Sequence, residues 1–301
     1  MDRLRRLIVE LAVSGRLVPQ RSDDEPAADL AARLAANKTR AVTDGGRRAK
    51  ALALPDAPNW PFAIPNSWTW QALDDLLWIT GGVTLGRKLT GRTLVALPYL
   101  RVANVQRGQL MLDDLKEIEV PADEADKYLL EPGDLLITEG GDWDKVGRTA
   151  IWQGELEQCL HQNHVFRARA CSDEFLPRWA ELYLNSPAAR SYFAGSSKQT
   201  TNLASINMTQ LRSCAFPLPP LAEQRRIVAK VDELMALCDH LQSRMAAARA
   251  KHAQLAEALV VSTVQDRQDH HRADTTRERV RTGKEKVFSL DEVERKLGLA
   301  D

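Results

Sequence analysis

Residues 217–262 read PLPPLAEQRRIVAKVDELMALCDHLQSRMAAARAKHAQLAEALVVS, and they carry the strongest periodic signal in the sequence. From Ile227 onwards, eleven positions follow each other at alternating spacings of four and three residues, and nine of them are apolar. This spacing is typical of a coiled coil. We call these positions the seam; they are Ile227, Val231, Leu234, Cys238, Leu241, Met245, Ala248, His252, Leu255, Leu259 and Ser262. The seam predicts a helix on the order of 50 Å long, at roughly 1.5 Å per residue, which suits a spacer or an interaction rod.

One apolar position of the seam is replaced by a histidine. A polar residue such as His252 on a coiled-coil seam lowers stability but can fix register or strand orientation. A helix end that begins to face solvent explains the same residue equally well. Both interpretations stay open.

The residues before the seam have a different pattern. Between residues 60 and 216, short apolar runs such as 99–105 and 134–138 are separated by Gly and Pro, which predicts strands. Residues 162–169 predict a further strand with Phe166 and Ala168 facing inward. A helical window at 177–185, with its apolar residues on one face, interrupts the strands. The sequence therefore predicts a mixed α+β domain over residues 60–216.

The two ends of the chain predict smaller elements. Residues 1–36 predict a short helical segment with two helices, the first ending near Gly15 and the second with Leu30 and Leu34 on its apolar edge. Residues 37–59 predict a flexible linker. Residues 263–301 predict a charged, flexible tail whose end, around Leu290 to Leu299, forms either a short docking helix or a frayed terminus.

The stripe that predicts the first helix consists of Leu4, Leu7, Ile8 and Leu11, at spacings of one helical face. This stripe predicts a surface that packs against another part of the protein.

Composition excludes several classes of protein. The 301 residues include 41 basic and 41 acidic side chains, and no run of eighteen apolar residues predicts a membrane span. The first ten residues offer no secretory signal, so the sequence predicts a cytoplasmic protein. Four cysteines without CxxC spacing predict reduced thiols. The spacing of Cys159, His161, His164 and Cys171 fits none of the common zinc patterns, and we expect no metal.

No catalytic signature is present. The sequence contains no GxxxxGK[ST], GxGxxG after a strand, HExxH or GxSxG, and its one Pro-Pro pair, Pro219-Pro220, lies outside any base-methyltransferase motif. The sequence therefore offers no candidate catalytic centre, and we expect no cofactor on this chain.

Charge is distributed unevenly despite the net balance. Residues 81–112 and 182–222 contain basic residues and no Asp or Glu, so we expect them to line one electropositive face. The loop at 140–148 combines three glycines with Lys145 and Arg148, which suits close approach to a polyanion. The polar loop at 196–202 suits phosphate or base-edge hydrogen bonds. Ordinary surface turns explain both loops as well.

The run from Pro217 to Asp232 resembles the DNA-specificity subunit of type I restriction–modification enzymes. In that family this run links a target-recognition domain to a long helix. The resemblance extends to Trp68, 98–105, Glu139-Gly140-Gly141 with Gly147-Arg148, Gln162-Asn163-His164 and Ala204-Ser205-Ile206-Asn207, in the expected order over residues 60–262. Residues 11–20 resemble the family segment that follows a coiled-coil helix, which implies packing against the helix of the same or a second chain.

The resemblance implies an α+β fold: one mixed α/β target-recognition domain (60–216), a long coiled-coil helix (217–262) that docks partners, and a short helical N-terminal segment. Family members commonly carry two recognition domains and two long helices, so this chain resembles a half-length subunit. The resemblance implies a homodimer that recognises a bipartite target in double-stranded DNA. Partner subunits would supply the chemistry: adenine methyltransferases with S-adenosylmethionine, and an ATP-driven restriction translocase.

Candidate contact residues follow from the same reasoning. The candidate DNA contacts are Lys88, Arg92, Arg101, Lys145, Arg148, Arg167, Lys198, Gln199 and Asn202. The candidate dimer or partner contacts are the seam residues Ile227, Val231, Leu234, Cys238, Leu241, Met245, His252, Leu255 and Leu259. Three other hypotheses are a recognition module of another restriction–modification type, a coiled-coil adaptor that does not bind DNA, and a standalone repressor without a helix-turn-helix pattern.

Overall fold

The structure is a computed structural model that describes residues 1–45, 60–141, 145–196, 198–199 and 204–297, with the backbone alone at 41–45 and 198–199. It contains two compact units, Met1–Cys238 and Asp239–Asp301. The helices are α1 Asp2–Val13, α2 Ala27–Gly45, α3 Leu73–Leu76, α4 Pro177–Leu184, α5 Pro187–Ser196, α6 Met208–Arg212, α7 Leu221–Arg281 and α8 Leu290–Leu297. The predicted α+β class, with a short N-terminal helix and a long C-terminal one, is confirmed.

Fourteen strands in the described residues form five small sheets. The strands are β1 Thr69–Ala72, β2 Leu77–Thr80, β3 Leu94–Leu100, β4 Val105–Gln106, β5 Gln109–Leu110, β6 Lys116–Pro121, β7 Leu135–Thr138, β8 Gly140–Gly141, β9 Thr149–Ile151, β10 Leu160–His161, β11 Val165–Ala170, β12 Lys198–Gln199, β13 Ala204–Ser205 and β14 Ala215–Leu218. The sheet orders are β2-β11-β7-β9, β10-β3-β6, β12-β13-β8, β1-β14 and β4-β5.

The four-stranded antiparallel sheet has apolar residues on both faces. Phe166 and Ala168 of β11 enter the largest core, as their spacing predicts, while Val165 enters a second core with Leu136 and Ala150. The helix at 177–185 is confirmed as α4, with Trp179 buried. Because both faces are covered, β11 is fixed in register between β2 and β7.

The run at 99–105 differs from the single strand that its apolar residues predict. Strand β3 ends at Leu100, and a 3-10 turn at Val102–Asn104 separates it from β4. The Asn104 side chain accepts a hydrogen bond from the Arg101 amide at 2.9 Å and donates one to the Met111 carbonyl at 2.8 Å. Such side-chain bonds offer the backbone an alternative to a ladder, and they break the strand here.

The largest core joins three parts of the sequence. We call it the shared core, because α1, α2 and the start of α7 all bury apolar side chains against residues 60–216 in it. Its members include Ile8, Ala12, Val13, Leu30, Leu34, Trp68, Trp179, Phe216, Ile227, Val231 and Cys238. Each fully buried large aliphatic or aromatic side chain contributes about 1.5–3 kcal/mol, so the shared core holds the N-terminal helices to residues 60–216.

Polar contacts reinforce this junction. Asp24 accepts a 2.9 Å hydrogen bond from Nη1 of Arg226, and Gln20 donates to Oε1 of Glu223 at 2.6 Å. The segment at 11–20 that resembles part of the family therefore packs against the start of α7 in the same chain.

The seam is divided by its surroundings. Ile227, Val231 and Cys238 are buried in the shared core and are unavailable to a partner, which corrects their assignment as dimer contacts. Beyond Cys238 the same stripe is open, with Leu241 40% and Leu259 69% exposed. Met245 and Leu255 are exposed too. The seam keeps one spacing but has two environments: it is buried in the shared core up to Cys238 and exposed beyond it.

The ends of the helices differ from the prediction at two places. Helix α7 continues past Ser262 to Arg281, so residues 263–281 are helical rather than an irregular tail. Charged residues of both signs support a helix without an apolar stripe. The helix ends where Gly283 adopts a φ of +71° and Lys284 donates to the Arg279 carbonyl at 2.9 Å.

At the N-terminal side, α2 runs to Gly45, so residues 37–45 are helical rather than a linker, and residues 46–59 lie outside the described residues. The terminal helix α8 is present, with Leu290, Val293 and Leu297 on its surface. In α1, Ile8 is buried whereas Leu4 and Leu7 are exposed. Among the described residues, no helix is long and apolar enough to cross a membrane.

His161 of β10 lies in the interior. Its Nδ1 lies 2.7 Å from the Val165 carbonyl oxygen, and its Nε2 atom is buried and has no hydrogen-bond partner among the described residues. Burial lowers the pKa of this imidazole to about 4, although the Val165 carbonyl opposes the shift. The ring is therefore neutral at pH 7.

The first prediction concerns Gly15, which has a φ of +68°. A Cβ atom at this position would lie 2.4 Å from Cγ of Pro65, so Gly15→Ala adds a clash to left-handed strain. We expect it to lower the free energy of unfolding by about 3 kcal/mol in urea titration. The control is Gly108→Ala, because Gly108 has a φ of +69° and a Cβ added there would meet no atom within 4 Å. Equal losses would contradict the packing argument.

The second prediction concerns pH. The folded pKa of His161 lies below its unfolded value of about 6.5, so the unfolded chain binds a proton first as the pH falls. Stability is complete above pH 6.5 and decreases between pH 6.5 and about 4. At 1.36 kcal/mol per pKa unit, we expect a loss of about 2 kcal/mol between pH 7 and pH 5 in urea titrations. His161→Gln should flatten this slope; an equal slope in wild type and variant would show that another group is responsible.

Candidate nucleic-acid interface

Short strands from the segments 140–148 and 196–202, which are distant in the sequence, belong to one sheet. Strand β8 pairs with β13, and β13 pairs with β12, so Gly141 lies opposite Ala204 and Ser205 lies opposite both Gly140 and Lys198. A Cβ atom on Gly140 would lie 2.8 Å from the Ala204 carbonyl oxygen, so glycine permits this close approach. Strands β8 and β12 are thereby held on either side of β13.

Backbone hydrogen bonds join the residues next to this sheet and next to β11. The amide of Glu139 donates to the His164 carbonyl, and the amide of Ile206 donates to the Glu139 carbonyl, both at 2.9 Å. Glu139 thus links three of the sequence motifs that carry the family resemblance.

Thr138 of β7 holds the turn at 145–148 in place through two hydrogen bonds. Thr138 donates through Oγ1 to the Lys145 carbonyl at 2.7 Å and accepts from the Arg148 amide at 3.0 Å. The Arg148 guanidinium donates to Oε1 of Gln106 at 2.6 Å. Residues 142–144 of the predicted loop lie outside the described residues. Lys145 and Arg148 therefore lie on a short turn that these hydrogen bonds hold in place.

Arg92 forms ion pairs with carboxylates from another part of the chain. Its Nη2 lies 2.7 Å from Oδ1 of Asp123 and 3.3 Å from Oε1 of Glu124, and Arg87 lies 2.8 Å from Oε2 of Glu124. These arginines lower the pKa of the Asp123 and Glu124 carboxyl groups through hydrogen bonds. The positive charge of this turn is therefore partly neutralised.

Arg101 is paired in the same way. Its Nη2 lies 2.8 Å from Oδ2 of Asp114, and this hydrogen bond lowers the pKa of the Asp114 carboxyl. Asp114, Asp123 and Glu124, which lie outside 81–112, therefore supply counter-charges to Arg87, Arg92 and Arg101. For these three arginines, the structure corrects the expectation of an electropositive face.

Arg167 is a structural residue. It is only 9% exposed, and its side chain donates to the Leu129 carbonyl at 2.7 Å. Burial lowers the pKa of the guanidinium. A buried side chain cannot reach a DNA phosphate, so the structure corrects the choice of Arg167 as a contact.

The remaining candidates divide into two groups. Lys88 is exposed on the turn between β2 and β3, and the described part of the chain gives its ammonium no ion pair. Lys198 and Gln199 form β12, where the backbone alone is described, and Asn202 lies outside the described residues. These four residues stay predictions.

A basic groove lies beside this interface, and sequence reasoning did not assemble it. Arg6 and Glu10 of α1, Arg107 of the β4–β5 turn and Arg190 of α5 line it together with Val146. Arg107 and Arg190 belong to the two basic stretches, but Arg6 comes from the N-terminal segment. Only the packing of α1 in the shared core brings the three arginines together.

No metal centre competes with this interpretation in the described residues, where no group of three or more His, Cys, Asp or Glu residues lies in a metal-binding arrangement. Cys159 and His161 are buried, and His161 directs its Nδ1 to a backbone carbonyl.

The chain is similar to a known protein family and to individual proteins. The family described as "Type I restriction modification DNA specificity domain" matches residues 65–247. The chain is 25% identical over 271 residues to the specificity subunit of the type I restriction enzyme EcoEI from Escherichia coli, covering 86% of this chain and 44% of that protein. It is 27% identical over 273 residues to the EcoAI specificity subunit from the same species, covering 89% and 45%.

Among solved structures, the HsdS subunit from Thermoanaerobacter tengcongensis matches with a TM-score of 0.43 and 19% identity, covering 80% of this chain and 48% of that one. The chain spans about half the length of the curated relatives it matches. Since the family match covers 65–247, more than half of the 301 residues, this chain belongs to the family of type I restriction–modification DNA specificity domains.

Proposed function

We propose that this chain is the sequence-specific DNA-recognition subunit of a type I restriction–modification complex. The observation that carries the proposal is that β8, from the segment 140–148, and β12, from the segment 196–202, lie on either side of β13 in one sheet, built by residues inside the family match. The polar residue types of these two segments suit recognition of base edges, and the cations Lys145 and Arg148 suit phosphates.

Within this proposal the subunit itself catalyses no reaction. Partner methyltransferase subunits bind S-adenosylmethionine and modify adenine, and a separate ATP-driven subunit translocates and cuts DNA. This chain selects the site at which they act. Lys145 and Arg148 are the contacts best supported by their positions, and Lys88, Lys198, Gln199 and Asn202 remain candidates from the sequence.

The third prediction tests this function in the host. We expect deletion of the gene to remove N6-methyladenine from one two-part sequence motif across the genome, measured by single-molecule sequencing. A plasmid copy of the gene should restore the motif. Loss of methylation at an undivided motif would favour a module of another restriction–modification type, and an unchanged methylome in a host with an active methyltransferase would contradict the proposal.

We further propose that two copies associate through the exposed part of the seam. Leu241, Met245, Leu255 and Leu259 form one apolar stripe on a helix that begins at the recognition region. An exposed stripe of this length is typical of an interaction surface. A second copy with a two-fold axis would place two recognition domains on one DNA molecule, and identical inverted half-sites would follow.

The fourth prediction tests this association. Leu255→Glu with Leu259→Glu places two charges on the seam, where residues are 62% and 69% exposed, so the fold should persist. We expect the dimer to dissociate in analytical ultracentrifugation, because burying two carboxylates at an apolar interface is unfavourable.

The matched control makes the same change off the seam. Val261→Glu with Val264→Glu alters two exposed valines outside the seam, and the dimer should survive. A wild-type monomer at micromolar concentration, or dissociation by the control alone, would contradict the seam as the dimer contact.

A further inference from the structure

The basic groove beside the interface is built from separate elements. Its volume is about 300 Å³, and its charged lining consists of three arginines and one glutamate. Arg6 and Glu10 come from α1, Arg107 from the β4–β5 turn and Arg190 from α5. All four lie in the compact unit Met1–Cys238. The formal charge of the lining is thus positive by two.

The walls of the groove are held in place. Arg107 donates to Oδ1 of Asn185 at 3.3 Å and to the Val146 carbonyl at 3.4 Å. Asn185 is itself bound to Thr149, accepting from its amide at 3.2 Å and donating to its carbonyl at 2.8 Å. These bonds fix Arg107 at the groove before any ligand arrives.

The opposite wall is fixed by close packing. A Cβ atom on Gly147 would lie 2.3 Å from Cδ2 of Phe193, so the 145–148 loop lies directly against α5. The groove therefore adjoins Lys145 and Arg148 of the candidate interface. Guanidinium groups are suited to oxygen atoms of phosphate, and several arginines around one groove favour an anion over an apolar ligand.

We propose that this groove binds one backbone phosphate of DNA, and that α1 is thereby part of the DNA-binding surface. The inference rests on the proposed function, and it adds a contact from outside the predicted recognition domain, 60–216. A phosphate contact positions the protein and carries no sequence information. Arg6 and Arg190 would therefore strengthen binding to every duplex by the same factor.

The fifth prediction tests the groove in the assembled complex with its methyltransferase subunits. We expect Arg6→Gln with Arg190→Gln to weaken binding equally to a duplex carrying the methylated motif and to a random duplex. The slope of log affinity against log salt should become less negative by about 0.9, which is the value for the loss of one phosphate contact. Glu10→Gln should do the opposite and strengthen binding to both duplexes.

The control variant alters another arginine of α1. Arg3→Gln removes an exposed charge of α1 that does not line the groove, and it should leave the slope unchanged. An equal effect of Arg3→Gln, or loss of affinity for the motif duplex alone, would overturn the proposal.

A groove that binds a carboxylate of a protein partner gives another pattern, which would also overturn it. In that case the double variant loses methyltransferase subunits in size-exclusion chromatography, and its remaining complexes keep wild-type DNA affinity. Failure of the wild-type complex to prefer the motif duplex contradicts the proposed function itself, which this measurement reports separately from the variants.

Discussion

Burial of the first part of the seam holds together the compact unit Met1–Cys238. Ile227, Val231 and Cys238 are buried among residues of α1, α2 and the segment 60–216, and no one of these parts covers the shared core alone. The strand that leads into α7 is held by α4, because Trp179 donates to the Pro217 carbonyl at 3.0 Å and Tyr183 to the Ala215 carbonyl at 2.7 Å. These two hydrogen bonds therefore fix the position at which α7 begins.

The sequence predicts the seam well but not what covers it. Periodicity identifies the apolar face of a helix, and the same spacing runs without change from Ile227 to Leu259. Which positions find partners depends on residues far away in the chain, so the change of environment at Cys238 has no local signal. The end of α7 is different, because Gly283 is a local stop signal, and the scarcity of apolar residues within 266–286 conceals the helix that leads to it.

For the candidate interface, sequence reasoning finds the loops but not their arrangement. Their residue types mark 140–148 and 196–202 separately, and the pairing of Gly141 with Ala204 depends on the tertiary fold. Charge counted along the chain is incomplete for the same reason: Arg107 and Arg190 of the two basic stretches do line one groove, but Arg101 is paired with Asp114 and Arg92 with Asp123. Burial of Arg167 likewise follows from the strands on either side of β11.

These surroundings rank the basic residues by what DNA binding would require of them. Arg167 would have to leave a buried site, so it stays with the Leu129 carbonyl. Arg92 is in an exposed ion pair, and such pairs contribute little to stability, so a phosphate can replace Asp123 at small cost. Lys88 has no ion pair to break among the residues that the structure describes. The contribution of a cation to affinity therefore depends on its existing partners as much as on its position, which explains why an inventory of Lys and Arg residues cannot by itself define the interface.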